Sequence, residues 1–118
     1  MKKILVFFGG KSVEHDVSVI TGVLTLNSLD RNLFEPIPVY VDRKGNFLYG
    51  NELFDIGYYK KNNFKKLKKV TLLSGDNNLY LVSKNKIKKL FPISCAISCL
   101  HGLNGEDGSV IGLIKMAG

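Results

Sequence analysis

Two polar segments rich in glycine contain most of the side chains of this sequence that could take part in chemistry. They are FFGGKSVEHDVS at residues 7–18 and LHGLNGEDGSVIG at residues 100–112. Each follows an apolar run of strand length and precedes a helix-like pattern, and in open parallel sheets ligands bind where such loops leave the carboxyl ends of the strands. We therefore predict that the two segments meet at one edge of a sheet and together form a binding site.

Glu14 is the charged side chain of the first segment that is best placed to bind a ligand. It lies at the predicted start of a helix, where the helix dipole stabilises an ionised carboxylate, and such a carboxylate could receive an ammonium group. The alternative is an acid that only stabilises the first turn, and the local sequence favours this alternative. Ser12 has the same two interpretations, as a site residue or an ordinary helix cap. His15 is predicted to be a structural hydrogen-bonding residue.

Glycines give the first segment unusual backbone freedom. Gly9 and Gly10 follow the predicted strand directly. They can adopt torsion angles that are closed to other residues, and without a Cβ they allow a ligand or another stretch of backbone to approach closely. We therefore include both glycines in the candidate site.

The second segment combines an imidazole with three flexible backbone positions, since His101 is followed by Gly102, Gly105 and Gly108. So many glycines suit a loop that wraps around a polar group. A neutral imidazole there can donate to a carboxylate or share a proton with a nearby acid. On this pattern a functional and a structural role for His101 both remain open, whereas the acids at 106–107 are predicted to cap the following helix.

The chain between and around these segments alternates strands with helices. Residues 3–8 (KILVFF) form a continuous apolar run, typical of a strand buried on both faces, and residues 16–29 carry two apolar sets at helical spacing. The two sets are Val17, Ile20 and Leu24, and Val19, Val23 and Leu26. The order of elements predicts the α/β class, with an open, mostly parallel sheet flanked by helices and a small inserted β lobe. The other predicted elements are strands at 34–42 and 47–49, short helical pieces within 51–67, strands at 72–73 and 79–83, a hairpin turn at 84–85, a strand at 92–100 and a helix at 109–117.

The net charge of +7 comes from one part of the chain. Ten lysines and a single acid, Asp76, lie between residues 60 and 89, whereas the remaining seven basic residues face nine acids. Nucleic-acid surfaces that read sequence favour arginine forks and aromatic stacking, and this chain has only Arg31 and Arg43. We therefore interpret the lysines as a solvated face over an apolar stripe and expect no nucleic-acid partner.

Hydropathy and cysteine content predict a soluble cytoplasmic protein. No apolar stretch approaches the about 18 residues of a membrane span, and the run at 3–8 is too short for a signal peptide. On a strand, Cys95 and Cys99 would lie about 13 Å apart, too far for a disulfide, and we expect both to be reduced core residues. With His101 they lack a fourth ligand for zinc, so no metal site is predicted.

The two segments also carry a family resemblance. The pattern FGGxSxEHxVS at residues 8–18, followed by Thr21-Gly22, resembles the N-terminal signature of the D-alanine:D-alanine ligases. The pattern HGxxGEDGxxxG at residues 101–112 resembles the second signature of the same family. One departure is Ile111, where the family usually has glutamine. Both patterns occur in order, each after a predicted buried strand, and the match that they make runs from residue 8 to residue 112, nearly the whole chain.

The resemblance implies an ATP-grasp ligase of peptidoglycan synthesis, with this chain as its Rossmann-like pre-ATP-grasp domain. In that family ATP phosphorylates the carboxylate of a first D-alanine, and the amine of a second D-alanine attacks the acylphosphate. By motif position, Glu14 would bind the ammonium group of the first D-alanine and belong to the catalytic hydrogen-bond network. Val17 would pack near its methyl group, and His101 would lie near its carboxylate end.

The resemblance also implies what this chain alone lacks. The sequence ends at Gly118, where the family continues into the domains that bind ATP and Mg²⁺. We therefore expect residues 1–118 to be an N-terminal substrate-binding domain, inactive by itself and without a cofactor, from a cytoplasmic, homodimeric enzyme that does not bind membranes. The alternatives are a relative that makes D-alanyl-D-lactate or D-alanyl-D-serine, a stand-alone α/β module for a small ligand, and a lysine-driven nucleic-acid binder.

Overall fold

The computed structural model describes residues 2–10, 15–61 and 64–99. Within them the chain forms seven strands, one α-helix and two short 3-10 helices. The elements in chain order are β1 (Lys2–Gly9), α1 (His15–Ser28), β2 (Phe34–Val41), β3 (Phe47–Tyr49), 3-10 helices at Asn51–Phe54 and Ile56–Lys61, β4 (Lys68–Leu72), β5 (Asn78–Ser83), β6 (Lys86–Pro92) and β7 (Cys95–Ser98).

The strands form one sheet in the order β6-β5-β4-β3-β2-β1-β7. Strand β1 is parallel to both β2 and β7, and the pairs from β2 to β6 are antiparallel. The predicted α/β class, the parallel strands and the inserted β-strands are confirmed. The inserted strands β3 to β6 extend the same sheet, so its antiparallel part is larger than the sequence pattern indicated.

Strand β1 is the centre of the parallel part and is buried on both faces. From Ile4 onward each of its residues is buried, which is why its sequence is apolar without alternation. Leu5 and Phe7 belong to one core cluster, and Val6 and Phe8 belong to the cluster on the other face. The two cores of the molecule therefore meet at this strand.

Helix α1 covers the face of the sheet that carries Val6 and Phe8. Its predicted set Val19, Val23 and Leu26 is buried there. A Cβ added to Gly22 would lie 2.3 Å from Cγ of Phe8, so the absence of a side chain at Gly22 lets the helix lie close to β1. The second predicted set, which we call the outer stripe of α1, consists of Val17, Ile20 and Leu24, and these side chains are 55%, 52% and 63% exposed.

The opposite core is enclosed by the curl of the sheet itself. Its buried members come from β1, β2, β4 and β5 and from Ile93. The ring centroids of Tyr49 on β3 and Phe91 on β6 are 6.2 Å apart, and Nζ of Lys3 on β1 lies 5.2 Å from the Phe91 ring centroid. Four strands separate β1 from β6 in the sheet order, so the antiparallel end bends round towards β1.

Three predictions about the later part of the chain need correction. The strand predicted at 92–100 is shorter, because Pro92 ends β6 and β7 begins only at Cys95. The strand predicted at 72–73 begins earlier and ends at Leu72. Cys95 is exposed instead of buried, because β7 is an edge strand, whereas Cys99 is buried as predicted; both thiols are free. The predicted helix at 109–117 lies outside the described residues.

Candidate functional site

The turn after β1 is built around two glycines. Gly9 and Gly10 have φ angles of +96° and +95°, in the left-handed region that side chains other than glycine rarely adopt. A Cβ at Gly9 would lie 2.4 Å from the carbonyl oxygen of Val41, and the amide of Gly10 donates to that same oxygen at 2.7 Å. The sequence predicts two features that require glycine here, unusual backbone torsions and the close approach of another backbone. The structure has both.

His15, the first residue of α1, contacts the backbone of Gly10, five positions earlier in the chain. It is 3% exposed, with Nδ1 2.5 Å from the carbonyl oxygen of Gly10 and Nε2 2.8 Å from the hydroxyl of Tyr40. A carbonyl oxygen can only accept, so Nδ1 donates to Gly10, and in the tautomer protonated at Nδ1 alone Nε2 accepts from the hydroxyl of Tyr40. The buried imidazole is thus a structural hydrogen-bonding residue, as the sequence predicted.

The environment of Tyr40 keeps its hydroxyl protonated. Burial, followed by the negative charge of Asp42, raises the pKa of Tyr40 to about 12. Its ring stacks on Phe64 with centroids 4.8 Å apart and lies 5.7 Å from the ring of Tyr59. A protonated tyrosine held by other rings is a stable donor to His15, so this aromatic group fixes the start of α1.

Ser18 connects the first segment to the end of the sheet that leads into the second. Its side chain is fully buried, and Oγ accepts from the amide of Gly9 at 2.9 Å and donates to the carbonyl oxygen of Cys99 at 2.5 Å. In the sequence Ser18 is only one position of the pattern at residues 8–18, although a polar residue on the buried face of a helix is a signal of a buried hydrogen bond. Tyr40 was also missed, and nothing in its local sequence indicates its contact with His15.

The two polar segments leave neighbouring parallel strands. Phe7 of β1 is in register with Ser98 of β7, and the amide of Cys99 donates to the carbonyl oxygen of Phe7 at 2.7 Å. As far as Gly10 and Cys99, the two segments therefore lie at the same edge of the sheet, as predicted. Of the predicted site residues, Gly9 and Gly10 lie at this edge, and Val17 lies on the exposed side of α1, two residues after His15. The others lie outside the described residues: Ser12, Glu14, His101, Gly102, Gly105 and Gly108.

The exposed side of α1 near this edge carries one acid and one apolar side chain. The carboxylate of Asp16 is 3.3 Å from a guanidinium nitrogen of Arg43, and both side chains are exposed, so this ion pair contributes little to stability. Val17 is more than half exposed and available for contact. Among residues 2–10, 15–61 and 64–99, no group of three or more histidine, cysteine or acidic side chains gathers where a metal could bind. Within the same residues no helix is both long and apolar enough to span a membrane.

Comparison with known proteins agrees with the two sequence patterns. The family model of the D-ala D-ala ligase N-terminus matches residues 3–118. The D-alanine--D-alanine ligase of Thermosipho melanesiensis is 38% identical over 120 residues, which cover 100% of this chain and 33% of the relative. That of Natranaerobius thermophilus is 34% identical over 123 residues, with the same coverage. The chain thus spans about a third of the length of these curated relatives.

Solved structures share the fold. D-Alanine-D-Alanine Ligase from Helicobacter pylori is similar with a TM-score of 0.76 at 25% identity. The match covers 98% of this chain and 35% of the H. pylori chain. VanG D-Ala:D-Ser Ligase from Enterococcus faecalis has a TM-score of 0.78 at 24% identity, with coverages of 98% and 34%. Because the family match runs through both glycine-rich segments and the strands that carry them, this chain belongs to the D-alanine:D-alanine ligase N-terminal domain family.

Proposed function

We propose that this chain is the substrate-binding domain, residues 1–118, of an ATP-dependent ligase that joins two D-alanines for peptidoglycan synthesis. The observation that carries the proposal is the family match over residues 3–118, which includes both glycine-rich segments. The names of relatives that are 38% and 34% identical support the same activity. The complete enzyme transfers the γ-phosphoryl group of ATP to the carboxylate of the first D-alanine, and the amine of the second then displaces phosphate to form the dipeptide.

In this proposal the chain binds and orients the first D-alanine. Glu14 pairs with its ammonium group and belongs to the catalytic network, Val17 packs near its methyl group, and His101 lies near its carboxylate. Gly9, Gly10, Ser12 and the glycines at 102, 105 and 108 shape the backbone of the two loops. As the family resemblance implies, we assign Mg²⁺ and the phosphates of ATP to the rest of the protein.

The fixed base of the first loop supports this role for Glu14. Residues 11–14 connect Gly10, whose amide and carbonyl oxygen are both hydrogen-bonded, to His15, whose imidazole contacts that same carbonyl oxygen. The two residues that flank positions 11–14 are therefore both held by hydrogen bonds.

The substitution Glu14→Gln in the complete enzyme tests the proposal. It keeps the size of the side chain and removes the charge, and a charge-assisted hydrogen bond contributes about 1.5–3 kcal/mol. We expect the KM for the first D-alanine to rise at least about tenfold, without a change in thermal stability.

Asp16→Asn is the matched control, because it makes the same change of charge two residues later on an exposed side chain. It should leave the first-site KM within about twofold of wild type. Equal effects of the two substitutions, or no effect of either, would reduce Glu14 to an acid that stabilises the helix terminus.

A D-alanine:D-serine ligase is the second candidate. The observation in its favour is the high structural similarity to the VanG D-Ala:D-Ser Ligase, although at 24% identity this similarity concerns the fold. A D-alanine:D-lactate ligase belongs to the same group of alternatives. Product analysis of the complete enzyme with D-alanine alone, and with D-serine or D-lactate added, separates the three activities.

The proposed enzyme is a cytoplasmic homodimer that binds neither nucleic acid nor membranes. The part of the outer stripe of α1 beyond Val17 supports an apolar contact with another part of the protein or with a second copy, because Ile20 and Leu24 are large apolar side chains that are more than half exposed. The proposal leaves the lysines of residues 60–89 as a solvated face. Loss of dimers on replacing the outer stripe would support this contact.

A further inference from the structure

Ser18 uses its hydroxyl differently from the other hydroxyl residues of α1. Thr21, Thr25 and Ser28 each donate to the carbonyl oxygen four residues earlier in the helix, at 3.0, 2.8 and 2.6 Å. These bonds are local to the helix, and of the three hydroxyls Thr25 also lies 3.6 Å from Sγ of Cys99. Ser18 instead accepts from Gly9 on β1 and donates across 81 positions of sequence to Cys99, just after β7.

The Ser18 hydroxyl accepts one of these hydrogen bonds and donates the other, in a site closed to water. The amide of Gly9 can only donate and the carbonyl of Cys99 can only accept, so the direction of each bond is determined. The side chain is fully buried, and a second tie lies beside it, from the amide of Cys99 to the carbonyl oxygen of Phe7 at 2.7 Å. The ends of β1 and β7 are thus held to one atom of α1.

We propose that Ser18 is a positioning residue that sets the relative position of the ends of β1 and β7, from which the two glycine-rich segments continue. Ser18 bonds to Gly9 at one strand end and to Cys99 just after the other, so a displacement of its hydroxyl moves the points from which both segments continue. Under the proposed function, on which this inference rests, the loops carry Glu14 and His101 to the two ends of one D-alanine. Ser18 would then control the span between the groups that bind its ammonium and its carboxylate.

The test compares three variants of the complete ligase. Ser18→Ala removes the link. Ser28→Ala makes the same chemical change on the exposed side of the same helix, where the hydroxyl only bonds within α1. Val23→Ala removes buried apolar contact on the face of α1 that carries Ser18 but touches neither polar bond, and it serves as a control for general destabilisation.

The kinetic readout is the KM for the first D-alanine relative to the KM for ATP. We expect Ser18→Ala to raise the first-site KM about five- to tenfold, the effect of losing one or two hydrogen bonds, with the KM for ATP unchanged. Both alanine controls should leave the first-site KM within about twofold, although Val23→Ala lowers the unfolding temperature. A rise that is equal for Ser18→Ala and Val23→Ala would make Ser18 a purely structural residue and overturn the proposal.

Hydrogen exchange of the complete protein, measured by mass spectrometry, tests the link without reference to activity. Ser18→Ala should speed exchange in the peptides that contain Gly9 and Cys99, whereas Ser28→Ala should not. Faster exchange at only one of the two places, or at neither, would show that Ser18 does not join the loops. If wild type fails to use D-alanine while both peptides respond, the proposed function falls and the link between the loops stands.

Discussion

Alanine substitutions at two glycines with similar torsion angles separate backbone strain from steric contact. Gly9 and Gly75 have φ angles of +96° and +76°, so each substitution carries the cost of a left-handed conformation, about 1–2 kcal/mol. They differ in their surroundings. A Cβ at Gly75 would have no atom within 4 Å, whereas one at Gly9 would lie 2.4 Å from the carbonyl oxygen of Val41 and 3.2 Å from an imidazole carbon of His15.

The additional loss of stability expected for Gly9→Ala comes from the backbone oxygen that the new Cβ would displace. The oxygen of Val41 belongs to the backbone of β2 and also accepts the amide of Gly10 at 2.7 Å, so it cannot shift without disturbing that bond. Overpacking of a buried site costs about 1–3 kcal/mol, and a lost hydrogen bond adds about 1 kcal/mol. We therefore expect Gly9→Ala to lower the free energy of unfolding by about 3–6 kcal/mol and Gly75→Ala by about 1–2 kcal/mol.

Urea unfolding followed by far-ultraviolet circular dichroism measures both losses. A domain of this size has a free energy of unfolding of about 5–15 kcal/mol, so Gly9→Ala should be strongly shifted or largely unfolded while Gly75→Ala unfolds cooperatively near wild type. If Gly9→Ala is too unstable to titrate, the fraction folded in buffer at low temperature gives a lower bound on the loss. Equal losses at the two glycines would refute the argument that the close approach of Val41 requires glycine at position 9.

Three further predictions concern packing, pH and association. Gly22→Ala should destabilise the chain by up to about 2 kcal/mol in urea unfolding, because overpacking against Phe8 costs about 1–3 kcal/mol and better helix propensity returns about 1 kcal/mol; a stabilised variant would contradict the observed close packing. Burial raises the pKa of Tyr40 to about 12 and the pKa of Tyr59 further, above their unfolded values near 10. The folded state therefore holds these protons more tightly, so stability should be constant below about pH 10 and fall as the pH rises towards 12. The fall should be less steep in Tyr40→Phe. An unchanged urea midpoint over this pH range would contradict the burial of both rings. The outer stripe of α1 should make the chain self-associate at high concentration in sedimentation, and Leu24→Gln should weaken this, whereas a wild-type chain that stays monomeric and binds no apolar dye would refute the exposed interface.

Local patterns in the sequence were enough to predict the elements around the site. The continuous apolar run of β1, the helical spacing in α1 and the turn at 84–85 each depend on residues near one another in the chain. The same holds for Gly9 and Gly10, because a demand for positive φ is a local property of the backbone. The two glycine-rich patterns, together with their order, were sufficient to identify the family.

Contacts between distant residues were decided only by the tertiary structure. Both apolar sets of α1 are equally hydrophobic, and the position of β1 under the helix determines that Val19, Val23 and Leu26 are buried and the outer stripe is not. Cys95 and Cys99 likewise differ in exposure, because Cys99 packs in the core cluster under α1 whereas Cys95 lies on the edge strand β7 outside both clusters.

The hydroxyl of Ser18 and the imidazole of His15 show most clearly why such contacts could not be predicted from the sequence. Each is a common polar side chain whose partner depends on which strand ends lie within about 3 Å of it, and those ends come from residues as far as 81 positions away. Sequence periodicity specifies which face of a helix is apolar, but the hydrogen bonds of a buried polar group require donor and acceptor to meet in space. The loops were therefore recognisable from the sequence, and the bonds that hold them together arise only when β1, α1 and β7 pack.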